Sequence, residues 1–255
     1  MFQIDLSGKT VLITGVSSGI GLGIAKQMAK AGANISGCAT ASNDKDFVKQ
    51  IQNYGADVLY TCCDVTKEED LHKLVTETIN KFGSIDVLIS NAGKNIFKGA
   101  EKLTIKDWNK NIELNLASHW KLAQLCKPYL EKNNGLIIIM TSNHAYSTIP
   151  GCFPYNVTKT ALTGLVRSLA IEWSPKIRTV GIAPGFIDTP GNQKWFDSFS
   201  DSNAERQRTV DMHPVKKLGT VAEIGGWCVF LASEYAAFAS GTTYLIDGGR
   251  SALMQ

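Results

Sequence analysis

Tyr155 and Lys159 stand four residues apart, a spacing that puts two side chains on one face of a helix, one turn from each other. An ammonium would then lie beside a phenol. A free phenol titrates near pH ~10, too high to trade protons at neutral pH, and a neighbouring cation favours its ionised form. The spacing therefore predicts that Lys159 lowers the pKa of Tyr155. Ser142 stands thirteen positions before Tyr155, just after the apolar run Leu136-Ile137-Ile138-Ile139-Met140. It should emerge where a buried strand ends, close to the start of the Tyr155 helix. A hydroxyl, an activated phenol and a cation held together can polarise a carbonyl and pass it a proton. Alone, Tyr-x-x-x-Lys describes many exposed helix faces equally well; the surrounding chain gives it weight.

These residues need a frame. Thr14-Gly15-Val16-Ser17-Ser18-Gly19-Ile20-Gly21 follows the apolar run Val11-Leu12-Ile13 and precedes an amphipathic stretch with Ile24, Met28 and Ala31. Strand, glycine loop and helix in that order bring a pyrophosphate onto backbone N–H groups at a helix N-terminus; the plainer reading is an ordinary tight turn. Strand-like and helix-like segments alternate along the whole chain. That predicts an α/β fold, a Rossmann-like doubly wound parallel sheet of seven strands with helices on both faces. The strands are expected at 10–14, 34–39, 57–62, 86–90, 135–141, 177–183 and 242–247; their continuous Val/Ile/Leu content suits strands buried on both sides. Leu71, Leu74, Val75, Thr78, Ile79 and Phe82 form a helical stripe between the third and fourth strands. A helix is expected over 104–132, kinked by Pro128 or ending near it, and another from Tyr155 to Trp173. The weakly patterned stretch 186–216 reads as an active-site lid within a single 1–255 domain. The Gly, Asn, Ser and Asp content of 190–214 predicts turns there rather than a long regular element.

On these motifs the chain resembles the short-chain dehydrogenase/reductase family, in its compact single-domain form, along essentially its whole length. Thr14 to Gly21 looks like the family's T-G-x-x-x-G-x-G loop. Ser90-Asn91-Ala92-Gly93 looks like its N-N-A-G motif, with serine in the first place. Asn115, Ser142, Tyr155 and Lys159 match its catalytic asparagine, serine, tyrosine and lysine. Asp64-Val65 resembles the pair that contacts adenine, and Pro184-Gly185 with Ile187 and Thr189 resembles the segment at the nicotinamide end. The resemblance implies an NAD(P)-dependent oxidoreductase that interconverts a secondary alcohol and a ketone. It implies Tyr155 as general acid and base, and Lys159 as the group that tunes it and holds the nicotinamide ribose. Ser142 would bond the substrate oxygen, and Asn115 would hold a water between Lys159 and solvent. Gly15, Ser17, Ser18, Ile20, Gly21, Ala39, Thr40, Asn91, Ala92 and Gly93 would line the cofactor. A homotetramer is also implied, with helices 104–132 and 155–173 packed against symmetry mates.

Ala39 falls where NAD-type relatives place an acid for the adenosine ribose, and Thr40, Ser42 and Ser17 could donate to a 2′-phosphate. Ser18 replaces the basic residue that many NADP-type relatives carry. NADP(H) is favoured and NAD(H) stays open. The substrate pocket is expected to draw on Lys94, Asn95, Phe97, Asn143, His144, Tyr146, Trp195 and Phe196. His144 and its polar neighbours favour a sugar, polyol or sugar acid as the small-molecule carbonyl or alcohol substrate. Trp195, Phe196 and Phe199 pull toward an apolar substrate or simply pack the lid. Two alternatives remain open. One is a 3-oxoacyl-[acyl-carrier-protein] reductase, with Lys94, Lys98, Lys102 and Lys106 facing an acidic carrier. The other is a non-catalytic cofactor-binding regulator on the same fold, against which the full set Asn115, Ser142, Tyr155 and Lys159 speaks.

Composition narrows the field further. The formal net charge is +3 over 255 residues, and the lysines are scattered rather than striped, so no nucleic-acid partner is expected. No apolar run approaches the ~20 residues needed to span a bilayer, and no charged-then-apolar leader opens the chain. A cytoplasmic protein without membrane or metal partners is the expectation. The six cysteines contain no Cys-x-x-Cys pair and read as buried reduced thiols; Cys152 is set apart by its place between Ser142 and Tyr155.

Overall fold

The computed structural model describes residues 3–253. In chain order the elements of its first half are β1 (Thr10–Thr14), α1 (Gly19–Lys30), β2 (Asn34–Ala39), α2 (Lys45–Gln52), β3 (Val58–Cys62), α3 (Glu68–Phe82), β4 (Val87–Ser90), α4 (Ile105–Ile112) and α5 (Ser118–Lys132). The second half adds β5 (Leu136–Met140), α6 (Tyr155–Glu172), β6 (Arg178–Pro184), β7 (Ile187–Asp188), α7 (Pro190–Phe196), α8 (Ser202–Asp211), β8 (Gly219–Thr220), α9 (Val221–Ala232) and β9 (Thr243–Ile246). Seven strands form one sheet in the order β3-β2-β1-β4-β5-β6-β9, and every neighbouring pair is parallel. Each of the seven lies within one residue of its expected bounds at either end. The short β7 and β8 pair with each other outside that sheet.

The alternation of side chains along each strand divides the core. Val11, Ile13, Val87, Ile89 and Ile138 face α1 and α9 through Ile24, Met28, Ile224 and Cys228. Leu12, Leu88, Ile137 and Ile139 face α3, α5 and α6 through Leu71, Leu74, Leu122, Leu162 and Val166. Strands buried on both sides need apolar residues at consecutive positions, which is why these read as unbroken Val/Ile/Leu runs. Strand order reverses between β1 and β4. A crevice opens at the carboxyl ends of the strands at such a point, and there the chain places the glycine loop, Asn91 and Ser142.

Two expectations are corrected. The helix foreseen over 104–132 is interrupted, not by Pro128, which lies inside α5, but by a π-helical turn at Glu113–Ala117. The turn carries Asn115, whose side chain bonds to the backbone of Lys94; such turns often occur where a side chain serves a site. The 190–214 stretch is not mainly turns: it holds α7 and α8. Its short polar residues act as caps, Thr189 accepting from Asn192 N–H and Asp201 from Ala204 N–H, and Pro190 pre-sets the first turn of α7. Arg206 of α8 ties the unit to β7, bonding Asp188 at 3.2 Å and Gln193 at 3.1 Å. All six cysteines are free thiols; Cys62 is half-buried and the rest are buried, Cys152 included.

Candidate active site

The nucleotide end is built from backbone. Gly15 adopts φ +76°, a conformation open to glycine. A Cβ on Gly21 would lie 2.1 Å from the Gly15 carbonyl oxygen and 2.7 Å from Asn91 Nδ2, so loop and helix meet only because no side chain intervenes. Thr14 fastens β4 to this loop: its Oγ1 accepts from Asn91 N–H and Ala92 N–H, each at 2.9 Å. Asn91 Nδ2 donates to Thr14 O at 2.8 Å. A cavity of about 260 Å³ follows, lined by Gly15, Ser17, Ala39, Thr40, Asp64, Val65, Ala92 and Gly93. Cys38, Cys63, Lys94 and Leu114 complete its wall. Cys38 and Cys63 were not among the residues expected to line this cavity; the usable signal was their place at the carboxyl ends of β2 and β3, where ligands bind in this architecture. Ser18 and Ile20 stand at the start of α1, Ser18 as its N-cap with no side-chain bond to the helix. Thr189 approaches from the opposite wall: a Cβ on Gly19 would lie 3.5 Å from its Cγ2. Pro184 ends β6, Gly185 follows it, and Ile187 is buried in β7. A glycine cradle at a helix N-terminus, opening into a cleft free of acidic side chains at Ala39 and Thr40, fits a dinucleotide. A larger cavity, about 460 Å³, lies behind Phe186 between His213 and α9; it includes neither the glycine loop nor Tyr155.

The chemical end is built from side chains. Tyr155 opens α6, and Lys159 one turn later is 3 % exposed and donates to Met140 O at 2.9 Å. Its Nζ lies 5.6 Å from the centre of the Tyr155 ring. Ser142, two residues past β5, is buried; its Oγ accepts from His144 N–H at 3.2 Å, and its hydroxyl acts to lower the Tyr155 pKa. The structure thus brings Ser142, Tyr155 and Lys159 together. Asn115 lies next to them, but its amide is fully engaged: Oδ1 accepts from Lys94 N–H at 2.9 Å, and Nδ2 donates to Lys94 O at 2.9 Å and Asn111 Oδ1 at 2.8 Å. Asn111 in turn donates to Pro154 O at 3.1 Å, which fixes the start of α6.

The expected lowering of Tyr155 is not found. Burial pushes its phenol up to about 12, outweighing the Ser142 hydrogen bond. Lys159 is itself lowered to about 8 by burial. Burial disfavours the charged form of both groups, the phenolate of Tyr155 and the ammonium of Lys159, so the two pKa values move in opposite directions for one cause. Behind Lys159, His119 is buried, bonds Ser90 at 2.8 Å and is held to about 3 by burial and the lysine charge. The His144 ring meets the Tyr155 ring edge-on with centroids 6.0 Å apart, Phe97 packs on the same tyrosine at 5.4 Å, and His144 Nδ1 contacts Thr148 Oγ1 at 3.0 Å. Trp195 is 40 % exposed and clusters with Phe186, Phe196 and Phe199. Phe196 is fully buried and so packs the base of α7 rather than facing a ligand.

A dinucleotide cradle joined to a hydroxyl, a phenol and an amine defines the class of nicotinamide-dependent oxidoreductases. Residues 15–251 match the family model described as Enoyl-(Acyl carrier protein) reductase. The chain is 34% identical over 249 residues to Dehydrogenase/reductase SDR family member 4 of Homo sapiens, covering 96% of this chain and 88% of that protein. It is 34% identical over 247 residues to L-fucose dehydrogenase of Bos taurus, covering 95% of this chain and 89% of that one. Among solved structures, a 7α-hydroxysteroid dehydrogenase complexed with NADH and 7-oxo glycochenodeoxycholic acid superposes with a TM-score of 0.90 at 33% identity, covering 98% of both chains. The chain belongs to the short-chain dehydrogenase/reductase family. It is an NAD(P)-dependent enzyme that interconverts a secondary alcohol and a carbonyl.

Proposed function

We propose that the substrate is a sugar, polyol or sugar acid, and that Tyr155 exchanges the proton of the reacting oxygen. The observation that carries this reading is the meeting of Ser142, Tyr155 and Lys159 beside the polar side chains of His144 and Asn143. When bound, NAD(P)(H) accepts or supplies the hydride. Tyr155 takes the hydroxyl proton in oxidation and returns it to the oxygen in reduction. Ser142 bonds that oxygen and steadies its charge. Lys159 holds the nicotinamide ribose and keeps a positive charge below Tyr155. Asn115, its side chain already satisfied, braces Lys94 and Asn111 around the site. The identity with an L-fucose dehydrogenase supports a polyhydroxylated substrate. Lys94, Lys98, Lys102 and Lys106 carry no ion pair among the described residues, which keeps a 3-oxoacyl carrier substrate as the second reading. A panel of sugars, polyols, sugar acids and β-ketoacyl thioesters with NAD and NADP, followed by nicotinamide absorbance, separates the two. Turnover of the thioesters alone would reject the sugar reading.

NADP(H) is favoured because Ala39 and Thr40 bring no carboxylate to the ribose end of the cavity, and the Asp64 carboxylate is engaged by Thr66. An Ala39→Asp variant should shift the ratio of catalytic efficiencies toward NAD(H); an unchanged ratio would mean residue 39 does not face the ribose. No helix among the described residues is long and apolar enough to cross a membrane. A homotetramer follows from the family resemblance and suits the exposed Ile105, Trp120, Val157 and Ile171 on α4, α5 and α6. Light scattering that found a stable monomer would reject it.

A further inference from the structure

Three aromatic rings meet around Tyr155. The Phe97 ring packs edge-on with it, centres 5.4 Å apart, His144 meets it at 6.0 Å, and Phe97 and His144 lie 6.1 Å from each other. They come from separate segments, each fixed by main chain. Phe97 forms an antiparallel bridge with Pro154, and Lys98 N–H donates to Phe153 O at 2.9 Å. Phe97 is thus stitched to the chain directly before Tyr155, with Ile96 buried beside it in sequence. His144 sits in the 3-10 turn Asn143–Ala145, which Ser142 caps. Tyr155 and His144 are half-buried, whereas Phe97 is 44 % exposed. Its open surface adjoins the ring that carries the reacting hydroxyl.

An aromatic ring presents apolar, electron-rich surface. It gains by covering C–H bonds and gains nothing from hydroxyl groups, which keep their hydrogen bonds to water or to polar side chains. Polar groups stand close by: the Ser142 hydroxyl donates to Asn143 Oδ1 at 3.4 Å, and the His144 imidazole follows in the same turn. One open ring and several polar groups therefore face the same reacting oxygen. A pyranose or a cyclitol matches that mixture, because its hydroxyls project around a rim while C–H bonds line its faces. An open-chain polyol has the same groups but no fixed face. It must freeze several C–C rotors to present one, and that ordering costs affinity.

We infer that Phe97 selects ring compounds: the reacting CH–OH belongs to a pyranose or a cyclitol whose C–H face rests on Phe97, rather than to an open-chain polyol. Phe97 takes no part in proton or hydride transfer; it sets which carbon skeleton can lie beside Tyr155. The inference rests on the sugar, polyol or sugar-acid reading and narrows it to the cyclic members of that group.

The test compares matched pairs, galactose with galactitol and myo-inositol with glucitol, in the full chain and in Phe97→Ala and Phe97→Tyr. The ring compounds should exceed their open-chain partners in kcat/KM by at least about fivefold. Phe97→Ala should lower kcat/KM for the ring compounds by about two- to tenfold, mainly through KM, and should lower it less for the open chains. Phe97→Tyr keeps the ring and should keep the preference. Equal losses on both sets in Phe97→Ala would mean that Phe97 only packs against Tyr155, and would overturn the inference. Should the variants fail to fold, the wild-type ratio alone still reports. Equal or better turnover of the open chains overturns the selection of rings and leaves the sugar reading standing. Turnover of neither set overturns both.

Discussion

The two ends of the cleft are held by different forces. At the nucleotide end, every bond has a backbone partner: the Thr14 hydroxyl accepts from the N–H groups of Asn91 and Ala92, the Asn91 amide donates to Thr14 O, and the glycine loop closes to a distance that admits no Cβ at Gly21. At the substrate end, the wall consists of side chains on separate elements, with His144 and Phe97 on Tyr155 and Trp195 half-exposed over Phe186. Backbone geometry is shared by any sequence that can adopt it, so the first end fixes a common ligand. Side-chain identity varies freely on the same frame, so the second end is where one relative can differ from another. The lesson is that the cofactor end should be brittle and the substrate end adjustable.

Changes at the two ends should separate accordingly. The largest effect is expected at Gly21. Gly21→Val drives a branched side chain into the Gly15 carbonyl, and cofactor affinity should fall by about 5- to 150-fold, since overpacking against a fixed backbone costs roughly 1–3 kcal/mol. Fluorescence titration with NADPH and NADH reads this, with circular dichroism to verify folding; near-normal affinity in a folded variant would break the comparison.

Lys159→Met comes next and carries a pH signature. The folded lysine titrates near 8 instead of its ordinary 10.5, so the unfolded chain holds this proton more tightly. Its ammonium costs stability at all pH values below about 8, and the cost fades as pH rises toward the unfolded value. Methionine removes that cost but loses the bond to Met140 O. The variant should lose turnover yet gain on the order of 1 kcal/mol of stability at pH 7, with the gain shrinking by about pH 10. Urea unfolding at both pH values checks it; a less stable variant at pH 7 would mean the lysine is solvated in the folded chain.

The smallest effect is expected in the 186–216 segment. Arg206 joins α8 to Asp188 and Gln193 and lies 5.4 Å from the Phe196 ring centre. Arg206→Ala should speed hydrogen exchange across α7 and raise KM a few-fold, the exposed ion pair itself contributing about 0.2–1 kcal/mol. Unchanged exchange would show that the aromatic cluster alone holds α7.

Legibility in the sequence followed the same divide. The seven strands, the glycine loop and the Ser142, Tyr155 and Lys159 set could be read because each depends on local pattern: an apolar run, a glycine at a fixed offset, a one-turn spacing. The π turn at Glu113–Ala117 could not, since it depends on Asn115 reaching Lys94 across the fold. The helices α7 and α8 hid behind residues that serve turns and helix caps alike. Trp195 and Phe196 looked equivalent, and only packing separates the half-exposed ring from the buried one. The rise of Tyr155 to about 12 depends on burial, which no spacing encodes.

The central claim is that Tyr155 moves the proton while the nucleotide end binds independently of it. Tyr155→Phe tests it most directly, with turnover and cofactor affinity measured on the same preparation. Turnover should fall by about 10²–10⁴-fold, the usual worth of a general acid or base, while the dissociation constant for the cofactor changes by no more than about threefold. Near-normal turnover would contradict the account.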